Sequence, residues 1–391
     1  MKIGYMRYGL HINLFDESIN NLGSYTRSRV MKAMLEQDID ITILTPLSAM
    51  DEKLKKHKTL IPLPDWFREI RYEKRYEFRK EDLVDFDVLF IECGPTNTVF
   101  GEKEYSYIEI VSNALSVWDG EVIYYQHSPV LSIPFGEYFS ETPIEGRSRL
   151  NLRCLCKKGR LFDDKEWIIL HHANNEEKWK EMMYCRHGET YKTVEEKVGD
   201  KLRFKFIPYC FDSEDPWLDI AKGDKWDLVW IGGRYNSSAH ISGTKTDRYP
   251  SVKKYYLDTP YRSVVIGKDW EKIKDKSIVG PKGKRNESWK LYNSGYAGMW
   301  TDSILVKESG FMTLRPIEII QSGCLLLGDP DIFMIDKYMD KEYIVKDKNE
   351  VKEILEWYNS LSNDEKEEIR LKQYNKFISW DKIDWKDILR R

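Results

Sequence analysis

Two runs in the second half of the chain combine residue types and spacings that could hold a phosphate. Asp227-Leu228-Val229-Trp230-Ile231 is an apolar, strand-like run that leads directly into Gly232-Gly233-Arg234. Glycines after a strand let backbone amides approach an anion, and an arginine adds charge, although a glycine pair there also serves as a plain tight turn. The spacing is not GxGxxG, so a nicotinamide site is not supported. The second run is Gly310-Phe311-Met312-Thr313-Leu314-Arg315-Pro316-Ile317-Glu318-Ile319-Ile320-Gln321-Ser322-Gly323-Cys324-Leu325-Leu326-Leu327. It predicts a helix capped by Thr313 that tolerates Pro316 in its first turn, where the missing amide has no partner to lose. Arg315 and Glu318 then share a helical face near the positive end of the helix. An arginine suits a phosphate, and a carboxylate can accept two ribose hydroxyls. An exposed ion pair is the plain alternative. The Ser-Gly turn and buried strand that follow favour a βα edge facing a crevice.

The first half offers proton-transfer groups. His127 closes the run Val122–His127 and is followed by Ser128, and His172 follows Trp167–His171. A histidine at a strand end can move a proton or simply pack. Residues 147 to 160 contain Arg147, Arg149, Arg153, Lys157, Lys158 and Arg160 with no acid among them, a pattern suited to contact with nucleic-acid phosphates. The basic residues between 53 and 79 are diluted by acids. Asp329-Pro330-Asp331 fits the Asp-x-Asp form that some transferases use with a divalent metal, but Asp and Pro also make a turn. No zinc spacing occurs, so no metal ligands are assigned.

These residues need elements to position them. Short apolar runs alternate with longer amphipathic stretches, the pattern of βαβ units in an α/β fold. The first sheet is expected from Ile3–Tyr8, Ile39–Leu44, Val88–Glu92, Val122–His127, Trp167–His171 and Phe204–Pro208. The second is expected from Asp227–Ile231, Ser263–Ile266, Gly295–Trp300 and Cys324–Leu327. Helices are expected near 24–36, 104–117, 249–257, 286–293 and 314–322. At 391 residues the chain exceeds one ordinary core. The acidic stretch Asp212–Pro216 divides it into residues 1–212, 213–372 and a terminal segment 373–391 that packs back on the first domain. Two such domains facing one another put a crevice at the carboxyl edges of their sheets. A net charge of −3 argues against a protein basic all over, and no apolar run reaches the roughly 20 residues of a membrane helix. The opening strand leaves no room for a leader peptide, and the six scattered cysteines read as reduced thiols, so a cytoplasmic monomer is expected.

Asp227–Gly233 and Thr313–Glu318 together resemble the donor site of the DNA β-glucosyltransferases of T-even bacteriophages. That resemblance implies a GT-B fold, two Rossmann-like domains across a central cleft, with Arg315 on the donor diphosphate and Glu318 on its ribose. It matches Arg234 or Arg248 to further diphosphate arginines, and places Lys282 and Gly283, in Gly280-Pro281-Lys282-Gly283, at the uracil loop. Val122–Ser128 and Val130-Leu131-Ser132 are similar to a segment of the companion α-glucosyltransferases. This makes His127 the leading active-site residue, although Ser128 stands where that family has aspartate. His172 matches the second strand-end histidine of that family. The implied activity is transfer of glucose, or a pentose such as arabinose, from a UDP-sugar to the hydroxymethyl group of 5-hydroxymethylcytosine in duplex DNA. A GT-B enzyme acting on a surface glycan or lipid, or a non-catalytic nucleotide-binding module, stays open as an alternative.

Overall fold

The computed structural model describes residues 1–7, 22–45, 69–73, 75–92, 99–100, 105–126, 166–179, 202–208, 217–234, 247–271, 273–279, 288–379 and 383–390. The apolar runs form strands for the reason their composition suggests. Runs such as Val88–Glu92 and Trp167–His171 are buried along their whole length, so both faces must be covered, as in a parallel sheet flanked by helices.

The first sheet contains β1 (Lys2–Met6), β2 (Asp40–Ile43), β3 (Arg71–Tyr72), β4 (Val88–Glu92), β7 (Glu121–Gln126), β8 (Trp167–His171) and β9 (Leu202–Phe206). Its order is β3-β2-β1-β4-β7-β8-β9, parallel throughout. A small antiparallel pair, β5 (Val99–Phe100) and β6 (Tyr105–Ser106), precedes the helix Tyr107–Val117. The second sheet contains β10 (Trp226–Ile231), β11 (Ser263–Ile266), β12 (Gly295–Trp300) and β13 (Leu325–Gly328) in the parallel order β11-β10-β12-β13. Chain direction along the sheet reverses between β1 and β4, and again between β10 and β12. Open α/β sheets bind ligands beyond the carboxyl ends of strands at such reversals.

Both expected sheets are therefore present, as two Rossmann-like units. The strands match expectation to within a residue or two, except β3, whose two exposed residues give no apolar signal. The Asp212–Pro216 connector lies outside the described residues. The terminal segment divides later than expected. Residues 373–379 remain in the helix Asn363–Ser379, where Phe377 joins the second core and the Gln373 side-chain amide exchanges hydrogen bonds with Leu326, 2.8 and 3.1 Å. The return to the first unit comes only with the short helix Trp385–Ile388. Trp385 and Leu389 enter the first core, and Gln37 bonds Ile383 O (2.7 Å) and Trp385 N (2.8 Å). No described helix is long and apolar enough to cross a membrane.

The Trp385 side chain is fully buried in the first core. Trp385→Ala should lower unfolding free energy by about 3–5 kcal/mol, read from urea midpoints, whereas the same change at half-exposed Trp357 should be nearly silent.

Candidate functional site

β10 and β12 pair as far as Val229 opposite Gly298. One step further the Tyr256 hydroxyl stands in the ladder, donating to Val229 O (3.2 Å) and accepting from Met299 N (3.1 Å). Beyond it the two strand ends diverge, and arginine side chains occupy the opening.

The hub is Asp302, two residues past β12 and buried. Its carboxylate accepts a two-pronged bond from one edge of Arg248, Nε at 2.6 Å and Nη2 at 2.7 Å, and one bond from Arg315 Nη1 at 3.2 Å. Arg315 Nη1 also donates to Thr301 O at 2.7 Å, and its guanidinium lies flat over the Trp230 ring, 3.9 Å from the centroid. Burial works against ionisation of Asp302, but Arg248 and Arg315 outweigh it and hold the carboxyl below its ordinary range. Burial likewise opposes charge on Arg315, and Asp302 again wins, raising its pKa. Two cations share this one anion, and the Glu318 carboxylate adds a second negative charge that also acts on Arg315.

The glycines fit this arrangement differently from expectation. Gly232 N–H is committed to Ile266 O at 2.9 Å and Arg234 N–H to Lys268 O at 3.0 Å. Gly233 offers its carbonyl to Arg248 Nη1 at 3.1 Å, while its own N–H makes no bond among the described residues. The donors gathered at this strand end are therefore guanidinium groups, with at most one backbone amide. Close approach matters more at Gly267, where an added Cβ would lie 1.9 Å from Gly232 O. Only glycine lets the loop after β11 press against this strand end. Trp270 Nε1 holds the same Gly232 carbonyl at 2.8 Å.

The helix Arg315–Gln321 begins at Leu314, with Pro316 in its first turn. Thr313 does not cap it: Leu314 is the cap residue, no side-chain cap bond forms, and Thr313 Oγ1 is buried with no hydrogen-bond partner among the described residues. Gly323, at φ +84°, ends the turn into β13 as expected of a left-handed position. Arg315 Nε and Glu318 Oε1 are also buried and unpaired among the described residues. Buried polar atoms without partners are costly, so their gathering beside this trio marks a place prepared for a polar ligand.

Of the residues expected at a donor site, Gly232, Gly233, Arg248, Arg315 and Glu318 come together here. Arg234 is adjacent but paired elsewhere, with its Nε–Nη2 edge on Asp247 (3.0 and 2.7 Å) and its guanidinium carbon 5.0 Å from the centroid of the Tyr249 ring. His127, Ser128, Lys282, Gly283 and the basic residues Arg147, Arg149, Arg153, Lys157, Lys158 and Arg160 lie outside the described residues.

His172 is elsewhere and cannot touch a ligand as it stands. It is fully buried, its Nδ1 hydrogen bonds Ile207 O (2.7 Å), and its Nε2 accepts from the Tyr125 hydroxyl (2.8 Å). Burial, partly offset by the Ile207 carbonyl, pushes its pKa down to about 4. The ring is neutral and held between Tyr125 and Ile207 inside the first unit.

Sequence reasoning missed Asp302. An acid just after an apolar strand, in Trp300-Thr301-Asp302-Ser303, was the available signal. Asp329-Pro330-Asp331 is a turn, with Asp331 N on Asp329 Oδ1 (3.2 Å). Asp329 itself is saturated by Thr301 (2.5 Å), Lys307 (2.9 Å) and Tyr255 (3.1 Å). No group of side chains able to hold a metal ion occurs among the described residues. At the reversal point of the first sheet, buried Arg7 and Glu92 face each other at 3.7 Å, and Tyr5 donates to Glu92 at 2.6 Å. Neither residue was anticipated.

No family model matches the chain, and neither does any curated protein. Solved structures do. T4 phage BGT in complex with UDP-glucose is similar at a TM-score of 0.57 and 15% identity, covering 97% of each chain. The DNA-modifying enzyme beta-glucosyltransferase is similar at 0.54 and 14%, covering all of both chains. An alpha-glucosyltransferase with UDP-glucose and DNA matches more loosely, at 0.49 and 12%, over 100% of this chain and 99% of that one. At these identities the likeness is one of fold, the GT-B arrangement of two Rossmann-like units.

Asp302→Asn should cost about 3 kcal/mol, because the buried Arg315 and the part-buried Arg248 lose their shared counter-charge. Thermal unfolding with inorganic pyrophosphate should then show a larger gain in Tm for the variant than for the parent, since the anion replaces the carboxylate. His172 gives a pH test. The unfolded chain takes up a proton near the ordinary histidine pKa of 6.5, and the folded chain only near 4, so stability should fall as pH drops through that window. The loss amounts to about 3 kcal/mol once complete. Denaturant titrations at several pH values should find this acid limb flattened in His172→Gln.

Proposed function

We propose that the chain is a glycosyltransferase that takes a sugar from a UDP-sugar, UDP-glucose being the first candidate, and places it on the hydroxymethyl group of 5-hydroxymethylcytosine in duplex DNA. The observation that carries this reading is the Asp302-anchored pair Arg248 and Arg315 beside Glu318, whose buried Oε1 has no hydrogen-bond partner among the described residues, at the reversal point of the second sheet.

A departing nucleoside diphosphate gains negative charge as the sugar leaves. Fixed guanidinium groups in a water-poor site stabilise that charge without reorganising at the moment of reaction. Arg315 is held by Thr301, Asp302 and Trp230 and so keeps its geometry. Glu318, one helical turn along, would accept the two ribose hydroxyls and fix the nucleotide lengthwise. A base beside His127 would take the acceptor proton. The UDP-glucose complex of T4 phage BGT and the DNA-modifying beta-glucosyltransferase, both similar in fold over nearly the whole chain, support the choice of donor and acceptor. Arg147 to Arg160 would grip DNA phosphates. Their contribution would appear as salt-dependent binding.

The test is mass spectrometry of nucleosides from 5-hydroxymethylcytosine duplexes incubated with the protein and a panel of UDP-sugars, UDP-arabinose included. A mass gain with one donor is expected and names the sugar. UDP binding with no gain from any donor would point to another acceptor, such as a glycan or lipid, or to a binding role. Glu318→Ala should weaken UDP binding about tenfold or more and leave DNA binding nearly unchanged, read by calorimetry and filter binding. Equal loss of both would count against the site.

A further inference from the structure

The two units are joined side by side by a short backbone seam. Residues just past β8 run antiparallel to residues 309–312 of the second unit, with Ala173 bridging Phe311. Met312 N donates to His172 O at 2.8 Å, Asn175 N to Ser309 O at 3.0 Å and Asn174 N to Gly310 O at 3.3 Å. Side chains reinforce it: Asn175 Nδ2 reaches Glu308 O at 3.3 Å, and Asn174 Nδ2 bonds the Tyr338 hydroxyl. Phe311 meets the His172 ring edge-on, 6.1 Å between centroids.

The seam enters the site at once. Two residues separate Met312 from Arg315, three peptide links, so the two Cα atoms are at most about 11 Å apart. Phe311 and Met312 are buried, which leaves little slack between them and the helix that starts at Leu314. On the other side, His172 cannot shift without its neighbours. Its Nδ1–H bond to Ile207 ties it to the chain just past β9, and the bond from Tyr125 ties it to β7. The carbonyl that Met312 reads thus belongs to a residue locked at both ring nitrogens.

We propose that Tyr125 and His172 are positioning residues for Arg315, acting across the seam through Met312 to set where the diphosphate-binding guanidinium stands. The assignment rests on the donor-site reading above. It differs from a stability role in one measurable respect: the effect of loosening Tyr125 on nucleotide binding must pass through Arg315.

The experiment is a double-mutant cycle on UDP affinity, measured by calorimetry, with Tyr125→Phe, Arg315→Ala and the pair. Tyr125→Phe keeps the ring and removes only the hydroxyl. It should raise the Kd for UDP about three- to tenfold in the parent and add nothing further in the Arg315→Ala background. His172→Gln, run through the same cycle, should behave alike and serves if Tyr125→Phe yields no folded protein. An unchanged Kd in both Tyr125→Phe and His172→Gln, or equal losses in both backgrounds, would overturn the positioning role while leaving the donor site intact. No loss of UDP affinity in Arg315→Ala itself would overturn the donor-site reading and this one with it.

Discussion

A buried arginine is tolerable only with a partner, and here two arginines depend on one carboxylate. Asp302 can serve both because β12 lies in the middle of its sheet and ends where its neighbour β10 turns away. Arg248 arrives from the loop before the helix Tyr249–Tyr255, and Arg315 from the start of the helix before β13. The surrounding features follow from keeping this trio still. Trp230 covers one guanidinium face, Tyr256 closes the gap between the strands, and Gly267 allows the neighbouring loop to pack against Gly232. Each restricts motion of groups whose charge is already in place before any ligand arrives.

The two sheets make an instructive pair. Each has an acid at or just past the strand that follows its reversal point, Glu92 in the first and Asp302 in the second, and each acid meets an arginine. In the first sheet Arg7 and Glu92 balance one another, with Tyr5 bonded to the carboxylate. In the second, an additional arginine joins the acid, and the Glu318 carboxylate stands nearby. The same topology thus puts a buried acid against an arginine in both units, with a second arginine joining it in the second.

Much of this was legible in the chain. Continuous apolar runs located the strands because a parallel sheet buries both faces, and the Leu-Arg-Pro-Ile-Glu run was recognisable because proline and charge cluster at a helix start. What stayed hidden depends on distance in space. Asp302 looks like any polar residue after a strand until Arg248, 54 positions earlier, is folded against it. His172 has the sequence signature of a strand-end base, but only the fold reveals that a tyrosine and a carbonyl occupy both nitrogens. Thr313 has the right type and place for a cap, yet the chain bends one residue later and Leu314 takes the position. The two glycines were read as amide donors, whereas the neighbouring strand had already claimed the amide of Gly232.

The chain also begins and ends in the same unit, since β1 and the helix Trp385–Ile388 both belong to the first core. In chain order the second sheet therefore lies between two segments of the first unit. The antiparallel seam at His172–Asn175 joins the units a second way, by contact instead of by sequence. Parting them along it would break the backbone bonds from Met312 to His172, Asn174 to Gly310 and Asn175 to Ser309, a set local to the seam and separate from either core.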